Sequence, residues 1–471
     1  MIRHALAAAV LLAATPLSAQ STTQDEIDAR YDRALAAGYK ALFLCSAIAN
    51  AERIGATRTP ESVEQWELSG IQAPLDAIVP SLPYRIVRQR IQNDISGELE
   101  ETAIDNVQVD WSTDMAPRTA YYSGNLGCWL APTGTKPMYR EPSIEHGSDG
   151  AADLASVAIP TQMPPKHALE ATLARAFGGD YGEGTRTTAV LIREKRKNGE
   201  VLELSRALPD FDGRPQRTWS VAKSIAATLV GAAVHRGKVK VSDSARLGRF
   251  FVDRRSDITI DHLLRMASGR YSDTPGNRTD PLYFGGATVE ESALHWPLVH
   301  EPGSVYRYAN NDTLAAVKAL GEDLSDHPPA AFFEQVGMRE TVAETDGNGD
   351  YILSSQVWST ARDPAKLGQL YLDDGVLPDG TRILPEGWVE YVSSPSGPQP
   401  DGSFGYGAGF WLLNTSDGVP PDTFAAMGNR GQFIIIVPSL NVVIVRRGED
   451  PAGSRFDIAS FTRDVLESIA E

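Results

Sequence analysis

Cysteine is the scarcest residue of this chain, two in 471 positions, and lysine supplies only ten of its 44 basic residues. Basic charge is short too: 44 Lys and Arg face 61 Asp and Glu, for a formal charge of −17, which weighs against nucleic acid and anionic membrane surfaces as partners. No Gly-x-Ser-x-Gly occurs, so the nucleophile elbow of an α/β-hydrolase has no support. No His-Glu-x-x-His occurs either, which removes the zinc proteases built on it. His295 and His300 flank a Trp-Pro turn without metal-ligand spacing, and no metal is expected. Asp346-Gly-Asn348-Gly-Asp350 imitates the start of a calcium loop, but Tyr351 stands where Gly is needed and Val357 where Glu is needed, so the stretch reads as a turn. Carboxylates are plentiful without forming a convincing acid/base pair, which leaves glycosidase chemistry without a foothold. Long apolar runs are missing after the first residues, and no stretch there approaches 18 uninterrupted apolar positions.

The exception is the start. Residues 1–19 read Met-Ile-Arg3-His4, an Ala/Leu/Val run, then Thr-Pro-Leu-Ser-Ala19, the layout of a cleavable secretory signal peptide with an apolar core too short to span a bilayer. The mature protein is therefore expected to be periplasmic or secreted, without stable membrane insertion; an uncleaved anchor is the other reading. In an oxidising compartment Cys45 and Cys128 are expected to form a disulfide, with two buried free thiols as the alternative. Neither has a nearby His to make it a nucleophile.

Residues 28–53 are Ala-rich and helix-like, and 99–130 alternate as strands do. A Pro/Gly/Ser-rich stretch from Pro132 to Pro165 marks a boundary between an N-terminal accessory domain, 20–165, and a second domain, 166–471. In the second, a helix over 167–177, strands Thr187–Arg193 and Val201–Arg206 around a turn at Lys197-Asn-Gly199, and a helix at Ser220 come first. Strands Phe410–Leu413, Gln432–Val437 and Val442–Arg447 and a helix over Asp457–Ala470 close the chain. Strands at both ends with helices between them predict an α+β layout, one antiparallel sheet assembled from distant segments plus a helical subdomain. The leading 150 residues are expected to wall or lid the cleft, the alternative being an appendage pinned by Cys45 and Cys128.

The chemistry concentrates in Arg217-Thr-Trp-Ser220-Val-Ala-Lys223, which runs into an apolar segment and holds the only Ser-x-x-Lys of the chain. At helical spacing Lys223 sits over Ser220 and can take its proton, while the helix N-terminus favours negative charge nearby. One such match arises by chance in a chain of about this size, so its context decides. That context includes Pro302-Gly303-Ser-Val-Tyr306-Arg307-Tyr308-Ala309-Asn310. Tyr308 can pass a proton, with its pKa drawn toward neutrality by a neighbouring ammonium. Asn310 can hold Lys223 or a substrate amide. His262 in Asp-His-Leu-Leu is expected to cap or pack a helix.

These motifs, with Ser268-Gly269, Ser359-Thr-Ala-Arg362-Asp363 and Leu384-Pro-Glu-Gly-Trp388 in order along the chain, resemble the serine β-lactamase-related family: class C β-lactamases, D,D-peptidases, related carboxylesterases and 6-aminohexanoate-dimer hydrolases. The resemblance spans roughly 166–471 and implies a β-lactamase/transpeptidase-like sheet flanked by helices. It implies an acyl-enzyme on Ser220 served by Lys223 and Tyr308, without metal or organic cofactor. The family's third motif, Lys or His before a small residue and Gly on a strand lining the site, finds its place at Gly428-Asn429-Arg430-Gly431-Gln432. The resemblance puts oxyanion donors on the backbone N–H groups of Ser220 and Gln432, with Asn429, Arg430 and Gly431 beside the substrate. Arg430 reads equally as substrate recognition or as an internal ion-pair partner. Without the motif's Lys, a β-lactam carboxylate loses its usual grip, and small-molecule esters or amides are the expected substrates. The competing reading is a catalytically idle module that binds penicillin-like ligands or cell-wall fragments in the same cleft.

Overall fold

The computed structural model describes residues 17–92, 99–138, 160–164, 166–248, 252–271 and 279–470. All but the last three residues of the expected signal peptide, and most of the boundary stretch before Pro165, lie outside them. A single helix, Leu17–Arg53, leads the described chain. It begins well before position 28 because the residues ahead of that point carry no apolar face for a sequence reading to detect. From Ala34 to Ala51 it is almost entirely buried. Its Thr23–Arg53 stretch is long and apolar enough to cross a membrane, yet its most apolar 18 residues lie buried within the protein, as the axis of a core does.

That helix packs on an antiparallel four-stranded sheet in sequence order, β1 (Tyr84–Gln92), β2 (Leu99–Val109), β3 (Arg118–Tyr122) and β4 (Cys128–Leu130). Strand β1 is absent from the sequence reading. It is an edge strand whose charged Arg85 and Arg88 pair with Asp110 at 3.1 Å and Glu52 at 2.7 Å, so its apolar alternation is diluted. Cys45 on the helix and Cys128 on β4 form the expected disulfide. In the chain-entropy picture, closing a loop of this length stabilises the fold by about 4 kcal/mol.

The main sheet has eight strands. Its members are β5 (Thr161–Gln162), β6 (Thr187–Lys195), β7 (Val201–Ala207) and, after a gap of some 200 residues, β11 to β15. Between them fall β8 (Gln216–Arg217), β9 (Val342–Ala343) and β10 (Val357–Ser359), a separate three-stranded sheet in the order β8-β10-β9. The late strands are β11 (Gly405–Tyr406), β12 (Trp411–Leu412), β13 (Phe424–Gly428), β14 (Gln432–Val437) and β15 (Val442–Gly448). The order is β11-β12-β13-β14-β15-β6-β7-β5, antiparallel except where β5 joins β7. Strand β15 therefore pairs with β6 across more than 240 residues of sequence, which is the assembly from distant segments that the α+β reading predicts. The turn at 197–199 closes through Arg196 and Glu200, with Gly199 at φ 85.

One face of the sheet is covered by helices His167–Gly178 and Ile458–Ala470. The other carries helix Val221–His235, whose residues 221–233 are all buried, as a helix apolar on every side must be. Truncating Ile225 to Ala there costs about 2–5 kcal/mol. A third core joins the leading helix and the four-stranded sheet to Trp219, Leu282, Tyr283, Phe284, Leu314 and Trp358. The N-terminal segment thus shares its interior with the residues immediately before Ser220.

Candidate active site

Ser220 occupies the N-cap of helix Val221–His235, at φ −66 and ψ −4, and its hydroxyl makes no cap bond. Its oxygen is hydrogen-bonded instead to Lys223 Nζ at 2.9 Å, one turn along the same face. Lys223 is buried and donates to Asn310 Oδ1 at 2.6 Å and to the Ser354 carbonyl at 2.9 Å. All three partners are neutral. Burial is therefore uncompensated by a carboxylate, and the amine falls from 10.5 to about 7.

The segment before Asn310 is laid down by main-chain bonds. Gly303 N–H donates to the Ala267 carbonyl and Arg307 N–H to that of Met266, each at 2.7 Å, and helix Asn310–Lys318 starts where Ala309 leaves extended backbone. Asn310 Nδ2 donates to Thr279 Oγ1 at 2.9 Å, which turns its carbonyl oxygen toward Lys223. Of the two roles open to Asn310, the structure gives it the lysine. Tyr308 sits on the other side, its ring centroid 4.9 Å from Lys223 Nζ. Its pKa is not drawn toward neutrality as expected. Burial raises it, outweighing the Ser220 hydroxyl and Trp411 indole N–H that pull the other way. Between a buried amine and a half-buried phenol, each is driven toward its neutral form by desolvation, so the amine is the group near neutrality.

The third motif is placed differently from the sequence expectation. The strand end that meets the serine is β13. A Cβ on Gly428 would lie 3.1 Å from Ser220 N and 2.3 Å from the Thr218 carbonyl, so this approach requires glycine. Gln432 lies across the ladder from Gly428. Its buried side chain donates to the Gly448 carbonyl and accepts from Arg447 Nε. Arg430 is buried and bonded to Glu449 at 2.6 Å and to the carbonyls of Trp66, Ser69 and Gly70. It is an internal ion-pair partner and not a substrate contact. Gly431, at φ 78, gives its carbonyl to Arg446 Nη1 at 2.9 Å. Of that group Asn429 is exposed and directly follows Gly428, the residue that meets the serine.

Residues that the sequence reading passes over complete the surroundings. The Ser354 carbonyl holds Lys223, and the Ser354 hydroxyl pairs with Tyr283 at 2.7 Å; a main-chain acceptor leaves no mark in a sequence. Tyr308, Tyr406 and Trp411 form an aromatic group with centroids 5.0–6.1 Å apart, and the period of aromatic residues around β11 and β12 is its only trace. Away from the site, His262 closes a capping box with Thr259, as its position predicts. Asp346 accepts from Asn348 N and Asp350 N, the bonds of a turn, and also from the distant Val289 N.

An antiparallel sheet carrying a buried helix that starts at a serine with its lysine one turn on defines an active-serine hydrolase fold. The family model for Beta-lactamase matches residues 213–460, more than half of the chain, and the protein belongs to that family. Among solved structures, a provisionally assigned 6-aminohexanoate-dimer hydrolase from Bacillus anthracis is 19% identical with a TM-score of 0.51, over 67% of this chain and 87% of that one. A provisionally assigned β-lactamase from Bacteroides dorei is 18% identical with a TM-score of 0.51, over 65% and 99%. At such identities the likeness is one of fold. No curated protein sequence matches the chain.

Proposed function

We propose that the protein is an exported serine hydrolase that cleaves ester or amide bonds of small substrates through an acyl-enzyme on Ser220. The observation that carries this reading is the set of partners around Lys223. A neutral amine has two N–H donors and one lone pair. The carbonyls of Asn310 and Ser354 take both donors, so the lone pair is left for the Ser220 hydroxyl. As Ser220 Oγ bonds to the substrate carbonyl carbon, its proton passes to Lys223, and the negative charge settles on the carbonyl oxygen. The N–H of Ser220 and that of Asn429, rather than Gln432, are the donors for that oxygen. Tyr308, kept protonated by burial, gives its proton to the leaving group and is recharged from Lys223. Water then releases the acid by the reverse proton path. The disulfide and the leading apolar run support export.

Arg430 is spent in the interior, so it is no substitute for the missing lysine of the third motif, and efficient β-lactam turnover is not expected. Tyr308→Phe tests the acid role. On an alkyl ester or anilide, kcat should fall by about 10²–10⁴. On p-nitrophenyl acetate, whose leaving group needs no proton, the fall should be much smaller. Equal losses on both substrates would remove Tyr308 from that step.

A further inference from the structure

Two residues other than glycine hold left-handed backbone beside the serine, Trp219 at φ 50 and Arg430 at φ 56. Such positions cost about 1–3 kcal/mol each and persist where their surroundings over-determine them. Trp219 directly precedes the nucleophile, and Arg430 directly follows Asn429. Both side chains are seated on the N-terminal segment. The Trp219 ring lies 5.9 Å from Phe43 of the leading helix and under the Arg217 guanidinium at 4.2 Å, which is itself 5.0 Å from the Phe43 ring. Arg430 donates Nη1 to the Gly70 carbonyl at 3.0 Å and Nη2 to those of Trp66 and Ser69 at 2.8 and 2.9 Å. The acceptor turn is clamped in return. Arg186 lies 4.5 Å over the Trp66 ring and donates to the Gln65 carbonyl and Ser69 hydroxyl, while Ala452 N–H donates to the Gly70 carbonyl at 2.7 Å.

We propose that the N-terminal segment is a positioning element of the oxyanion pocket, acting through Arg430 and Trp219 rather than by covering the cleft. The inference rests on Ser220 being the nucleophile. The loop Asn429–Gly431 cannot relax to ordinary right-handed backbone without pulling a buried guanidinium off three carbonyls and a carboxylate. Holding it fixes the Asn429 N–H against the Ser220 N–H, and Phe43 with Arg217 fixes the latter from below. Neither Arg430 nor Trp219 touches the substrate; they are positioning residues.

Arg430→Met removes the clamp. Gly70→Ala moves its acceptor through a substitution made outside the second half of the chain, since at φ 63 a Cβ there would lie 2.8 Å from Pro451 Cβ. Full-length variants would be compared with wild type by fluorophosphonate labelling of Ser220, by kcat and KM on an ester, and by the Kd of phenylboronic acid. That acid forms an Oγ–B bond as the serine proton leaves to Lys223, and its boronate charge sits where the oxyanion would. In variants whose circular dichroism shows them folded, kcat should fall by about 10–100-fold with KM little changed. Boronate affinity should fall by a similar factor, and Arg430→Lys should recover part of the loss. Folded variants with wild-type kcat and boronate affinity would overturn the proposal, as would losses that merely track the unfolded fraction. If Arg430→Met does not fold, Gly70→Ala carries the test. Failure of the nucleophile reading is separate, because it appears as absence of Ser220 labelling in the wild type.

Discussion

Ser220→Ala abolishes acylation: intact-mass spectrometry after exposure to p-nitrophenyl acetate finds no added acetyl group, and nitrophenol release falls to the uncatalysed background. The expected loss is of the order of 10⁶ in kcat, the scale seen when the nucleophile of a serine hydrolase is removed. The fold should be untouched. The hydroxyl makes no cap bond to its helix and its side-chain partners are Lys223 and Tyr308, so alanine removes one polar atom and no packing. Turnover by the variant at anything near the wild-type rate would place the nucleophile elsewhere. A wild type that neither labels nor turns over the ester would instead leave the idle binding module as the better account.

The second large effect belongs to Lys223. Only the neutral amine can accept the serine proton, so kcat/KM should rise with pH through a midpoint near 7 and then level off. Below the midpoint it should drop about tenfold per pH unit. Lys223→Met should eliminate turnover at every pH in that range. The same group has an opposite signature in stability. Its pKa is lower folded than unfolded, so between about 7 and 10.5 the unfolded chain binds the extra proton. The resulting cost is fully present below about 7 and vanishes as pH rises toward 10.5. Relative to wild type, Lys223→Met should therefore be more stable at pH 6 than at pH 10. Urea midpoints at the two pH values check this, and a difference of the other sign would mean that Lys223 is charged in the folded protein at neutral pH.

How much of the site the sequence discloses depends on whether its contacts are local. Ser220 and Lys223 lie one helical turn apart, so spacing alone brings them together, and Tyr308 and Asn310 are carried by one short segment after a Pro-Gly turn. The third motif is harder because two adjacent strands run through it. Gly428 and Gln432 are partners across a hairpin, and nothing in the string Gly-Asn-Arg-Gly-Gln tells which strand faces the serine. Arg430 reads equally as a substrate ligand because three of its acceptors are backbone carbonyls some 360 positions away. Main-chain acceptors carry no residue signature, and the Ser354 carbonyl escapes notice for the same reason. The direction of the Tyr308 shift also depends on burial, which proximity to a lysine cannot convey.

The clamp on Arg430 ties two distant stretches of the chain into one hereditary unit. A guanidinium with three of its acceptors in residues 66–70 has no purpose in a protein lacking that turn, where it would face the interior as a charge bonded to one carboxylate alone. Relatives that carry the hydrolase half without the leading segment should therefore hold a different residue at this position. Recombination that exchanges one half should be tolerated only when Gly70 and Arg430 travel together.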